Sequence, residues 1–184
     1  AWHVFLLVPT GRAKDMKEDE ISPENYEKTL NWLYEVQRDE KIFVKPTCAP
    51  HYYRIYRQRM KEEGRKIETA QLSQHGLQAM TRGCLGGITF CFISHFGEIY
   101  ICGYLEVLAG DVRKEGIKEA WENSPLFNTL RDYSNLKGKC GPCEYVKLCG
   151  GCRARAYALT GDYMAEEPYC VYQPKKLALK ETEK

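Results

Sequence analysis

No apolar run in this 184-residue chain approaches the ~18–20 residues that a membrane-crossing helix needs. Mean hydropathy is −0.52 and 28% of residues are charged, so a membrane is not an expected partner. An excess of one charge is missing as well. The formal net charge is +2 and the pI is near 8.1, which gives no polyanion-binding signature and excludes nucleic acid as the expected partner. No basic and apolar leader opens the chain. The pattern of a small disulfide scaffold is lacking too: nine cysteines is an odd number, and the chain is long for a fold that needs such staples. Nor is there a zinc ribbon's pair of Cys-x2-Cys knuckles separated by roughly 15–20 residues.

What the chain does have is a thiol-rich centre. Cys140-Gly-Pro-Cys143-Glu-Tyr-Val-Lys-Leu-Cys149-Gly-Gly-Cys152 spaces four thiols by x2, x5 and x2, and its Gly and Pro residues let the backbone turn tightly enough for sulfurs to converge. Cys170 follows, Cys84, Cys91 and Cys102 precede, and only Cys48 lies outside this region. Disulfides, structural zinc and iron–sulfur ligation are the three readings. The last fits tightly spaced thiolates that can divide between two clusters, and thiolate ligands imply a reducing cytoplasm.

Around that centre the elements read as follows. Val4–Val8 is a short apolar run suited to a strand buried on both faces. Ser22-Pro23 is a helix start, and Tyr26, Leu30, Leu33 and Gln37 give helical spacing over 23–38. Ile42–Val44 is a second strand. A second helix follows, with Tyr52, Ile55, Tyr56 and Met60 on one face and Arg54, Arg57, Arg59 and Lys61 around the others. Strand–helix–strand–helix order implies parallel strands. Two such units cannot close a barrel, so residues 1–65 are expected to be the tail of a larger α/β domain. Pro9–Arg12 and Pro46–Pro50 then lie on the face where such proteins place active sites, which makes Arg12, Cys48 and His51 candidates. Residues 66–83 read as a linker, with His75 a solvated loop residue. Thr89–Ser94 and Glu98–Cys102 flank His95-Phe96-Gly97 as a β-hairpin. Cys91 on the first strand is a ligand or a small buried hydrophobe, and His95 is a turn residue. Helices are expected at 117–122 and 125–131, with Trp121 and Phe127 in the core, and at 153–159, stopped by Gly161. Arg153 and Arg155 screen an anionic cluster or face water. The tail from 175 is charged and expected to fray.

Cys84-x12-Gly97-x4-Cys102, followed by the tight run and Cys170, resembles the SPASM extension of radical S-adenosylmethionine (SAM) enzymes. The spacing between Cys149 and Cys152 is x2 where that pattern usually has x3. Val8-Pro-Thr-Gly-Arg12, Lys45-Pro-Thr-Cys-Ala-Pro-His51, Ser94-His95-x-Gly97-Glu98, Cys102-Gly-Tyr104 and Cys149-Gly-Gly-Cys-Arg-Ala-Arg155 resemble the branch that makes haem d-one and runs the siroheme-dependent haem route.

The resemblance implies an α+β architecture. Residues 1–65 would be the last units of a radical SAM (β/α) barrel, and 84–174 a SPASM domain with a hairpin, short helices and cysteine-rich loops. The tail would be 175–184. It implies one or two auxiliary 4Fe–4S clusters, with zinc as a substitute. Cys140, Cys143, Cys149 and Cys170 would hold the first; Cys152 would turn to a second with Cys84, Cys102 and, as fourth ligand, Cys91. The implied whole enzyme generates a 5′-deoxyadenosyl radical that abstracts hydrogen from an acetate or propionate side chain of an iron porphyrinoid, with ferredoxin or flavodoxin as reductant. The defining Cys-x3-Cys-x2-Cys motif is absent from these residues. SAM and its cluster are therefore expected only with the missing N-terminal barrel, and this chain alone is expected to be inactive. A SPASM peptide maturase and a non-enzymatic zinc module are the alternatives.

Overall fold

A computed structural model describes residues 1–40, 42–65 and 83–182; the expected linker with His75 lies outside them, apart from Gly83. The first half is a β–α–β–α unit. Strand β1 (Trp2–Phe5) pairs in parallel with β2 (Val44–Thr47), Trp2 opposite Val44 and Phe5 opposite Thr47. Helix α1 (Pro23–Asp39) connects them. It starts where the Ser22 hydroxyl accepts from the Asn25 N–H at 3.2 Å, with Pro23 at the first helical position. Tyr26, Leu30, Leu33 and Tyr34 recur on its buried face and pack on Val44, Ala49, Tyr52, Ile55 and Met60, the last three from α2 (His51–Glu62). Burying Leu30 and Leu33 contributes about 1.5–3 kcal/mol each.

The first strand forms earlier in the chain than its apolar run predicts, and it is not buried on both faces: Phe5 is 65% exposed. Pairing ends after the Leu6 N–H reaches the Thr47 carbonyl, because β2 stops there to enter α2. Val8 then leaves the sheet and is buried in the other core. β2 likewise starts two residues later than expected, and carries Pro46, which lacks a ladder donor, opposite Val4.

The second half is an antiparallel sheet of β3 (Phe92–Ile93), β4 (Glu98–Cys102) and β5 (Leu105–Asp111), in the order β3–β4–β5. The Ser94 hydroxyl ties the β3–β4 turn by accepting from the Phe96 and Glu98 N–H groups, both at 3.2 Å. Gly97 has φ of 89°, and a Cβ there would press on Val112 and Arg113. The third strand is not in the expected set, although Leu105, Val107 and Ala109 alternate along it. Helices α3 (Gly116–Asn123) and α4 (Pro125–Arg131) cover the sheet, and Ile99, Ile101, Leu105, Phe127 and Leu130 form the core between them, with Trp121 packed alongside. Helix α5 (Arg153–Thr160) ends at Gly161, whose left-handed φ of 77° lets its N–H return to the Tyr157 carbonyl at 2.8 Å. The tail after Pro174 forms α6 (Lys175–Thr182) instead of fraying, as its Lys, Leu and Ala residues favour. No helix among the described residues is long and apolar enough to cross a membrane.

The halves are interlocked. Val8 is buried in the second core, and Tyr169 packs on the first. Arg155 neither faces water nor lines the thiol cavity described below. It is fully buried over the rings of Tyr26 and Tyr169, at 5.0 and 5.1 Å. Its guanidinium donates to the carbonyls of Leu7 (2.8 Å) and Cys48 (3.1 Å) and to Glu167 Oε1 (3.4 Å). Arg153, also buried, donates to the carbonyls of Tyr163 and Ala165.

Candidate metal centres

From Cys140 to Cys149 the chain advances by tight turns. The Val146 N–H reaches the Cys143 carbonyl at 3.0 Å, and the Cys149 N–H reaches that of Tyr145 at 2.8 Å. Gly150 and Gly151, both left-handed at φ 70° and 66°, then reverse the chain. A Cβ on Gly151 would run into the Arg153 guanidinium and Glu167, so the reversal needs glycine. The result is a partly open cavity lined by Cys140, Cys143, Cys149 and Cys170 together with His51 and Arg54. Two sulfurs already accept backbone hydrogen bonds: Cys140 Sγ from the Glu167 N–H and Cys149 Sγ from the Gly151 N–H, each at 3.4 Å. Lys139 Nζ donates to the Cys170 carbonyl, anchoring the returning segment.

Three thiols of the site are held in their neutral form. Burial raises the thiol pKa of Cys143 and Cys149, and pushes Cys170 up to about 11 although Arg54 and Lys139 oppose it. A cationic centre reverses this by binding the thiolates. His51 is 1% exposed, its pKa lowered to about 4 by burial, and neither ring nitrogen has a partner among the described residues. A group in the cavity would give it one, so the site fits an iron–sulfur cluster in both donor chemistry and orphaned polar atoms. No three His, Cys, Asp or Glu side chains among the described residues are set for a single ion; the thiols border a space instead.

Sequence reasoning missed Arg54. It is buried, donates to Glu27 Oε2 at 2.5 Å and Gln58 Oε1 at 2.7 Å, and stacks on Tyr172. Its position three residues after His51 puts both on one helical face, which was the available signal.

A second set of thiols gathers around Cys152. The Cys84 N–H bonds the Cys149 carbonyl at 3.2 Å, which lays Cys84 against this loop, and Cys102 ends β4. The thiols of Cys84, Cys102 and Cys152 influence one another electrostatically; burial raises Cys84 and pushes Cys102 up to about 11, while Cys152 is raised by its interaction with Cys48 and by burial. The Cys48 thiol lies close enough to that of Cys152 for the two to act on each other, whereas the expected fourth thiol was Cys91. Cys91 packs on the hydrophobic core just before β3, and burial alone shifts its thiol. It is followed by a strand whose two residues, Phe92 and Ile93, are exposed.

The other barrel-side candidates separate. Arg12 is exposed in a 3-10 turn (Gly11–Asp15). The His51 ring lies edge-on to Tyr26 and borders the first cavity. His95 stacks on Phe96 at the hairpin tip, as a turn residue.

Residues 84–153 match the family model of SPASM, an iron–sulfur cluster-binding domain. The chain therefore carries a domain of the SPASM class over those residues. Within that class it is 57% identical, over 96% of its length, to an AdoMet-dependent heme synthase of Methanosarcina barkeri, and 54% identical over 96% to the synthase of Nitratidesulfovibrio vulgaris. It spans 49% and 47% of those proteins, about half of each. A mycofactocin maturase of Mycobacterium tuberculosis is 33% identical over 60% of the chain and 29% of its own length.

Proposed function

We propose that this chain is the auxiliary-cluster portion of a radical SAM enzyme that removes or modifies acetate or propionate side chains of an iron porphyrinoid. The observation that carries the reading is the convergence of Cys140, Cys143, Cys149 and Cys170 on one cavity. The similarity to heme synthases over almost the whole chain favours the porphyrinoid, and the weaker, shorter similarity to a maturase makes a peptide substrate the rival.

In this reading residues 1–65 are the last units of the (β/α) barrel, and 84–174 the cluster domain. Four thiolates hold the first cluster, while Cys84, Cys102 and Cys152 contribute to a second. A bound cluster would supply a one-electron acceptor: loss of a propionate's carboxylate as CO2 requires removal of a hydrogen atom and then one electron, leaving its two other carbons as an alkene. The chain's own residues prepare for this. The Gly151 and Glu167 N–H groups stabilise two thiolates, Arg54 offsets their charge, and His51 offers an N–H to whatever fills the cavity. SAM, its own cluster, the tetrapyrrole and the external reductant are engaged by the complete protein, in a reducing cytoplasm.

The test is anaerobic reconstitution followed by iron, zinc and acid-labile sulfide analysis, with a visible spectrum. Iron with sulfide is expected; stoichiometric zinc without sulfide would sink the proposal. Titrating the full-length protein with an iron porphyrinoid and with a carrier peptide separates the two substrate classes.

A further inference from the structure

We propose that Cys48 is the fourth thiolate of the second centre, so that this centre is closed by a residue from outside the SPASM segment. The inference rests on the reading of the second thiol group as an iron–sulfur site.

Four observations carry it. Among the described residues, Cys48 is the one non-glycine residue with positive φ, at 60°. A left-handed backbone disfavours a side chain, and glycine would serve there unless the side chain is used. The residue is held from two further elements: the Tyr26 hydroxyl of α1 donates to its carbonyl at 2.9 Å, and Arg155 of α5 donates to the same oxygen at 3.1 Å. That clamp fixes the turn after β2 and commits the thiol to one direction. That direction is towards Cys152: Cys48 and Cys102 both pack on the core that contains it, and the Cys48 and Cys152 thiols are close enough to act on each other. Finally, Cys48 packs on the core that contains Cys152, not on the core of its own β–α–β–α unit. The matched SPASM segment, residues 84–153, excludes it, which explains why motif spacing points to Cys91 instead.

Arg155 has a definite part in this arrangement. It lies close enough to the Cys48 thiol for its charge to act there, while its hydrogen bonds go to the backbone. It is a positioning residue, not a ligand. The centre thereby links the end of β2 to the loop Cys149–Cys152 through metal–sulfur bonds, beside the Arg155 clamp.

The experiment uses the full-length protein, reconstituted anaerobically, with iron and sulfide analysis and EPR of the reduced state; the SAM cluster adds a signal common to every variant, and the two signals compared are those of the first and second centres. Cys48→Gly is the informative variant, because glycine tolerates the left-handed turn and only the thiol is removed. Cys48→Gly and Cys84→Ala should each lose the iron and sulfide of one centre, roughly four irons for a cubane, and the same EPR signal. Cys140→Ala should lose the other signal, and Cys91→Ala neither. If Cys84→Ala removes a centre that Cys48→Gly retains, the role of Cys48 is overturned. Loss of both signals from Cys48→Gly would also overturn it, by showing that the thiol supports the fold and not one centre. Full iron and both signals in Cys84→Ala would instead refute the second-centre reading beneath it.

Discussion

The two thiol groups are built in opposite ways. The first takes three of its members from the ten residues Cys140–Cys149, and a short return through Tyr163–Glu167 brings in Cys170; local turns and a glycine reversal do most of the assembly. The second draws Cys48, Cys84, Cys102 and Cys152 from four separate stretches: the end of β2, the start of the matched segment, the end of β4 and the edge of α5. A site made by local turns depends on backbone conformation, whereas a site made across the fold depends on the packing that docks its pieces. Cys149 and Cys152, three residues apart, belong to different groups because Gly150 and Gly151 turn the chain between them.

The largest test of that contrast is Cys149→Ala. It should abolish the iron and sulfide of the first centre completely while leaving the EPR signal of the second. Arg155→Met comes next and should act on the second group. It leaves Glu167, fully buried, without its cation and frees the Cys48 carbonyl, at a cost of about 3–5 kcal/mol in denaturant unfolding. Adding Glu167→Gln should recover much of the loss, since the uncompensated charge is then gone. A smaller effect is expected from Gly151→Ala: crowding against Arg153 and Glu167 with a left-handed backbone should cost about 1–3 kcal/mol. It should lower first-centre occupancy on reconstitution more than second-centre occupancy. The smallest concerns the exposed pair Lys137–Asp162, 2.5 Å apart. The lysine lowers the Asp162 pKa, so this stabilisation is present above the ordinary aspartate value and is lost as pH falls through the depressed one. Lys137→Ala should move the Asp162 titration upward, by NMR, with little change in iron content.

The same contrast accounts for what the sequence alone conveys. Cys140, Cys143, Cys149 and Cys170 can be grouped from spacing because few residues separate the first three, and glycines mark the turn. The helices at 23–39 and 125–131 announce themselves by Ser-Pro starts and apolar periodicity. Cys48 carries no such signal: its partners are distant in the chain, and its left-handed backbone becomes visible only with coordinates. Arg155 misleads for a related reason. A charged residue at a helix start usually meets water, but its partners here, Leu7, Cys48 and Glu167, come from three distant stretches. The extent of β1 was missed because its limit is set by the partner strand. β5 was readable from its alternation, and only the two-residue connection Gly103-Tyr104 hid it behind β4.

The exchange of Val8 and Tyr169 between the two cores bears on how the chain comes apart. Each half lends the other a side chain, and Arg155 ties carbonyls from the first to a carboxylate in the second. Opening either half alone therefore strips apolar contacts from its neighbour and strands a buried charge. The lowest route out of the native state is for both to melt together, in one cooperative transition, with amides of α1 and β4 exchanging with solvent at a common free energy.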